Sequence, residues 1–331
     1  MNSSFSKVHL STSRKAAITS LYVILIMVTV LGNLLVVRAF SKFANLRTVS
    51  NTILVSLAVA DMLMVFVFIL HITNTQFPRL TPRHQLCSVA SMLNLTVNAI
   101  IILHLALISV ERFLAIKYAL SYHTLVTHRR AIIASAVVWF WGISISMIFP
   151  ESLKADGLKT FTEFLQGLTP CFVSEEPFFL HSESVRAYLV FLVVALLVMP
   201  IGIIVTSYSY IFRVAWKQRI KIQDGQNSHL HKIFRRREMK GAWTVAIVVG
   251  LCLVSFIPLL VTLCLHFLNV TTVKIHQMHG VYFAASMNAW WNPLIYCWRN
   301  ESFRRNIKRL LKCCPHHSRV DGRKRWSWKL S

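Results

Sequence analysis

TVSNTILVSLAVADMLMVFVFILHITNTQFP, residues 48–78, runs from Arg47 to Arg79 with a single charged side chain, Asp61. About twenty helical residues rising 1.5 Å each cross the roughly 30 Å hydrocarbon core of a bilayer, so this stretch can span one. Lipid tolerates no unpaired backbone, which makes the stretch a helix rather than a lone strand. The same reading extends in both directions. Ala16–Val37 lies before it, and His84–Val110, Ala131–Pro150, Ala187–Phe212, Gly241–Val273 and Ile275–Trp298 follow, each free of Asp, Glu, Lys and Arg. Seven segments predict an all-α membrane protein: an N-terminal tail over 1–16 and a seven-transmembrane helix bundle over 17–298.

Composition agrees. Of the 331 residues, 55% are hydrophobic and 15% charged, against about 25% charged in soluble domains. A net charge of +24 would suggest a nucleic-acid partner in a soluble protein, but the position of the charges argues against one. With the N-terminus outside, the inner segments carry Arg38, Lys42 and Arg47, then four basic residues from Arg112 to Arg130. Nine more fall from Arg213 to Lys240, and eleven follow Trp298. Six of the twelve acids fall between Glu151 and Glu183, in the long second outer loop. The basic surplus is therefore a topology signal facing anionic lipid and cytoplasmic partners, with the N-terminus extracellular and no nucleic acid implied. The first apolar run is too long for a cleavable signal core and reads as a signal anchor. Seven cysteines are too few for a disulfide scaffold.

Beyond the seventh span, Phe303, Ile307, Leu310 and Leu311 recur at helical spacing, with Arg304, Arg305, Lys308 and Arg309 between them. This predicts a short amphipathic helix over 299–312 lying on the inner leaflet. Cys313 and Cys314 follow it as palmitoylation candidates, the alternative being two unmodified thiols. A disordered cytoplasmic tail is expected over 313–331.

Polar groups inside a membrane are costly and mark functional positions. In chain order they are Gly32-Asn33 with Val36 in the first span and Leu57-Ala58-Val59-Ala60-Asp61 in the second. The third has Cys87 at its outer end and Glu111-Arg112-Phe113 at its inner end. Trp139 lies in the fourth, Pro200 and Tyr208 in the fifth, and Pro258 in the sixth. Asn292-Pro293-Leu294-Ile295-Tyr296 closes the seventh. One set per span, in this order, resembles the rhodopsin-like (class A) G-protein-coupled receptor superfamily. The resemblance covers about residues 17–312 and identifies no subfamily.

That resemblance implies a plasma-membrane receptor, not an enzyme. It would convert binding of an extracellular ligand into activation of a heterotrimeric G protein by outward movement of the sixth span, with arrestin a further partner. Cys87 and Cys171 would bridge the third span to the second outer loop, two free cysteines being the alternative. Arg112 cannot lose its charge and needs a partner. Glu111 is one candidate; Glu238, at the start of the sixth span, is another, and would tie the third and sixth spans together at rest. A Glu238 that only solvates its loop is the alternative. Tyr208 and Tyr296 would turn toward the opened cleft, while Pro200, Pro258 and Pro293 supply kinks. Asp61, Asn288 and Asn292 are candidates for an allosteric sodium ion, a hydrated acid alone being the alternative; no other cofactor is implied. The chain departs from the family at Ile101, where a Ser is usual, at Phe256, where a Trp is usual, and at Ala119, where a Pro is usual. It departs again at Cys252, which stands where a Phe normally packs against Ile102 and Pro200, leaving a smaller and looser relay.

For the ligand, the sequence excludes better than it names. Amine receptors resemble one another in an Asp on the third span where this chain has Asn94, and opsins in a Lys where it has Ser286. Adenosine receptors resemble one another in an Asn where it has Leu263. The remaining pocket candidates are Asn94 and Asn98, one helical turn apart, with Phe256 and Ser286. The asparagines either read an amide or hydroxyl of a peptide or small polar ligand, or hydrogen-bond neighbouring helices. The loop acids either attract a basic peptide or stay solvated. His71, His84, His181, His266, His276 and His279 lie toward the outer side, as proton sensors or as scattered surface residues. Asn2 and Asn269 are usable glycosylation sites; Asn94-Leu95-Thr96 lies inside the membrane and should be silent. A non-signalling decoy receptor is the main alternative. A small transporter would predict internal repeats and paired mid-membrane ionisable groups, and the sequence has neither.

Overall fold

Ser11, Thr48 and Thr127 each sit just ahead of an apolar run, and in a computed structural model of the chain each caps a helix. Their hydroxyls accept from the backbone N–H of Arg14 at 3.4 Å, Asn51 at 3.3 Å and Arg130 at 3.3 Å, pairing donors that a helix start leaves open. The structure describes residues 11–77, 83–148, 187, 190–223, 243, 246–247, 249–258, 261–262, 275–299 and 301–312. Helix α1 spans Thr12–Lys42, α2 Val49–Gln76, α3 Arg83–Lys117, α4 His128–Ile143, α5 Met199–Gln223 and α6 Val249–Pro258. Then come α7 (Ile275–Ser286), α8 (Asn288–Arg299) and α9 (Glu301–Lys312). A 3-10 turn, Ala44–Leu46, joins α1 to α2, and the one-turn helix Tyr122–Leu125 lies between α3 and α4.

Among the described residues, Thr12–Lys42, Val49–Gln76, Val89–Lys117 and Val190–Val214 are each long and apolar enough to cross a membrane. Their outward faces are greasy: Ile24, Met27 and Leu31 on α1 and Phe66 on α2 are more than half exposed. Polar side chains point inward instead, as a bilayer solvent demands. Asn33, Asp61, His104, Asn288 and Asn292 are all buried. Helix α3 lies at the centre, packed against α2, α4 and α5, while α8 packs on α1 and α2. At the α3–α4 crossing a Cβ on Gly142 would meet Ile100 Cγ1 at 2.6 Å, so the two helices approach as closely as a missing side chain permits.

Three departures from the sequence reading have local causes. Helix α1 begins at Thr12, ahead of the boundary expected at residue 17, because Ser11 caps it there. The fifth span carries a π-helical stretch, Val194–Val198, just before Pro200. Pro200 has no N–H to offer Leu196 one turn back, and the Met199 N–H instead reaches the wider-spaced Val194 carbonyl. The seventh span is not one helix: α7 and α8 meet at Met287, whose N–H turns back to the Ala284 carbonyl at 3.2 Å. Sequence alone puts the irregularity at Pro293, which lies inside α8.

Pro293 acts differently. Lacking an N–H, it leaves the Ala289 carbonyl, one turn earlier, without its helical donor. Asn33 on α1 fills that gap, its Nδ2 donating to Ala289 O at 3.0 Å and to Thr29 O of its own helix at 3.0 Å. The neighbouring Gly32 lets the helices close on each other, since a Cβ there would lie 2.7 Å from Pro293 Cγ. Asn33→Leu, which removes a buried donor from the carbonyl, is expected to cost about 1–3 kcal/mol. The cost is read as a lower thermal midpoint of the purified protein, and Gly32→Val should fall at least as far. Wild-type midpoints for both would contradict this clasp.

Candidate functional site

At one end of the bundle, Glu111 and Arg112 close the α3 helix. Arg112 donates to Glu111 through Nε at 2.6 Å and Nη2 at 3.0 Å, a charge-assisted bidentate pair. The carboxylate takes two more donors: Ser50 Oγ of α2 at 2.8 Å and the Tyr122 hydroxyl from the one-turn helix. Glu111 is 3% exposed and Arg112 12%, so the pair is screened little by solvent. Burial, reinforced by the adjacent Glu111 charge, pushes the Tyr122 phenol above its usual range and keeps it a donor. Of the two partners expected for Arg112, the structure places Glu111 on it; Glu238 lies outside the described residues. Phe113 turns away and meets the Tyr210 ring edge-on at 4.9 Å, with Lys117 Nζ 5.2 Å above its own face. Tyr208 packs against the core.

Halfway along the bundle, Asn292 Nδ2 donates to Asp61 Oδ2 at 2.7 Å, joining α8 to α2. Asp61 Oδ1, Asn292 Oδ1 and both polar atoms of Asn288 are buried without a hydrogen-bond partner. Three such unpartnered oxygens suit a small hard cation, which oxygen ligands select. Ile101, 1% exposed, adds a hydrocarbon wall where a hydroxyl would have helped. Cys252 of α6 is also buried, and with Ile102, Leu197, Ile204 and Phe256 it lines an apolar cavity of about 240 Å³. The volume that a larger side chain at Cys252 would take is open.

Toward the other end, Asn98 Nδ2 donates to Asn94 through both its backbone O, at 2.8 Å, and its side-chain Oδ1, at 2.7 Å. The two asparagines pair within α3 rather than reaching neighbouring helices, and Asn98 Oδ1 is left buried without a partner. Ser286 is buried. His71, placed by sequence among outer-side histidines, is buried and stacked on Tyr22 with ring centroids 5.9 Å apart. For Cys87 and Tyr296 the backbone alone is described. Cys171, Asn2, Asn269, Cys313 and Cys314 lie outside the described residues.

One polar network goes beyond what the sequence predicts. His104 of α3 is fully buried; its Nδ1 lies 2.8 Å from the Ile100 carbonyl, and its Nε2 lies 2.8 Å from Ser56 Oγ of α2. A carbonyl only accepts, so Nδ1 carries the proton and Nε2 accepts from Ser56. Ser56 in turn accepts from Trp139 Nε1 of α4 at 3.0 Å. The signal in the sequence is a histidine within an apolar stretch, while Trp139 stands out there with no hint of its partner.

The sequence matches the model of a family described as 7 transmembrane receptor (rhodopsin family) over residues 32–296. Similar proteins include a D(1)-like dopamine receptor from Takifugu rubripes, 25% identical over 93% of this chain and 74% of its own. A QRFP-like peptide receptor from Branchiostoma floridae is 26% identical over 92% and 80%. An octopamine receptor beta-2R from Chilo suppressalis is 25% identical over 89% and 79%.

Ser56→Ala would strand both the Trp139 N–H and His104 Nε2 in the bundle. A loss of about 1–3 kcal/mol follows from leaving buried polar groups unsatisfied, measured as a drop in thermal midpoint in detergent. A stability equal to wild type would mean that the three residues are not coupled.

Proposed function

The chain belongs to the rhodopsin family of seven-transmembrane receptors, and from that membership we propose that it converts binding of an extracellular ligand into activation of a heterotrimeric G protein. The observation that carries this reading is Arg112 held by a Glu111 carboxylate that Ser50 and Tyr122 also grip. Arg112 keeps its charge at any physiological pH, so it is available to a partner whenever that grip is released. Two states result, gripped and released, and a ligand that favours the second shifts the population toward coupling. Outward movement of the sixth span would open the cleft in which the released Arg112, Tyr208 and Tyr296 meet the G protein, with arrestin using the same face. The N-terminus is extracellular and the chain lies in the plasma membrane.

Asp61, Asn288 and Asn292 would hold a sodium ion, which supplies charge to the buried carboxylate and favours the gripped state. The ligand is a peptide or a small polar molecule. Identity is level between amine and peptide receptors and does not choose; Asn94 does. It is neutral, and Asn98 donates to its side-chain oxygen, so it offers no counter-ion to an ammonium group.

Ligand-free signalling tests the coupling. With surface levels matched, Arg112→Ala is expected to abolish basal cyclic AMP, calcium or G-protein dissociation signals. Tyr122→Phe, which removes one bond from the grip, should raise the basal signal by roughly fivefold, the equivalent of about 1 kcal/mol. Equal silence in all variants, and in a chimera carrying another receptor's outer half, would instead identify a decoy. In membranes, basal signalling should fall as sodium replaces a large organic cation, and Asp61→Asn should remove that dependence. Sodium sensitivity retained by Asp61→Asn would exclude an ion at this carboxylate.

A further inference from the structure

Side chains of α3, the fifth span and α6 enclose the cavity beside Cys252, and every one of them is hydrocarbon except the Cys252 thiol. The Ser255 hydroxyl, three residues further along α6, is not on the wall; it donates to the Leu251 carbonyl at 2.8 Å. A trapped water needs two to four polar partners, and a thiol is only a weak one. The cavity is therefore closed to water and to any ligand carrying a charge. Uncharged apolar matter is what it can hold.

Size and wall chemistry narrow the guest. The volume is about 240 Å³, and an apolar cavity of about 150 Å³ is already enough to stay dry and take benzene. One ring with a small substituent fits. Phe256 offers a ring for offset or edge-on contact, and Cys252 a polarisable sulfur; both favour an aromatic guest over a saturated one. Access comes from the side. Ile257 lines the cavity and is 52% exposed, and Val205 and Val254, on the same pair of helices, are exposed as well. One wall thus reaches the surface that lipid covers, and a lipophilic molecule dissolved in the bilayer meets it without crossing water.

We infer that this cavity binds a small, uncharged aromatic molecule drawn from the bilayer. The inference rests on the membrane-spanning fold and not on coupling to a G protein. Fluorobenzene is the probe, its fluorine resonance followed as it is titrated into phosphatidylcholine nanodiscs holding the purified full chain. A saturable change, absent from empty nanodiscs, is expected with the wild type. Cys252→Phe fills the space and should abolish that change. Since a ring there can overpack the core, Cys252→Met, whose side chain adapts to irregular gaps, is the second plug and should weaken binding too. Fluorocyclohexane, similar in size but without a π face, is expected to bind the wild type about fivefold more weakly, as loss of one aromatic contact requires. Wild-type binding by both plugged variants would put the probe elsewhere and overturn the site. An absence of saturable change in the wild type, as when a lipid tail holds the cavity, would overturn it as well. Equal affinity for the two probes would overturn the aromatic preference. Thermal midpoints of the variants identify any loss that comes from unfolding.

Discussion

A proline in the seventh span creates a vacancy that only a neighbouring helix can fill, and much of the bundle is arranged around that fact. Inside a bilayer no water can satisfy the Ala289 carbonyl that Pro293 leaves open. Asn33 supplies the donor, and Gly32 supplies the closeness. The register of α1 against α8 is thereby fixed to the residue. From it follows the position of Asn292, one residue before the proline, which donates to Asp61 on α2. Three helices are thus joined by two side-chain contacts set by one missing N–H. The foot of α1 then receives α9 through Phe303 and Ile307.

A second set of polar contacts does the same on the opposite side of α2. Ser56, His104 and Trp139 link α2, α3 and α4, while Ser50 and Tyr122 converge on Glu111 at the end of α3. Helix α2 is therefore held at its middle and at one end. The other flank is different in kind. Residues of α3, the fifth span and α6 line an apolar cavity beside Cys252. Among the described residues, the bundle is bonded by side-chain polar contacts around α2 and leaves an apolar cavity beside α6.

Much of this architecture is legible in the amino-acid sequence. Long uncharged runs fix the spans because lipid admits nothing else, and the amphipathic spacing of Phe303 and Ile307 survives in α9. Glu111 and Arg112 stand side by side in the sequence, and the structure pairs them. What stays hidden depends on contacts between distant segments. Pro293 announces an irregular helix, but the break falls at Met287, while Asn33 pairs the carbonyl that the proline leaves open. His104 reads as one polar residue in an apolar run, and only packing brings Ser56 to it. Spacing groups Leu311 with Phe303, yet helical geometry turns it outward. Asn98 donates to Asn94, which spacing allows but does not require.

The most direct test follows the inner ends of the third and sixth spans. Labels at Lys117 and Trp243, both exposed, would report their separation in nanodiscs before and after adding each class of nucleotide-free heterotrimeric G protein. A wider separation with one class, reversed by guanosine triphosphate, is expected of a receptor that opens on this side. A separation unchanged by every class would contradict it.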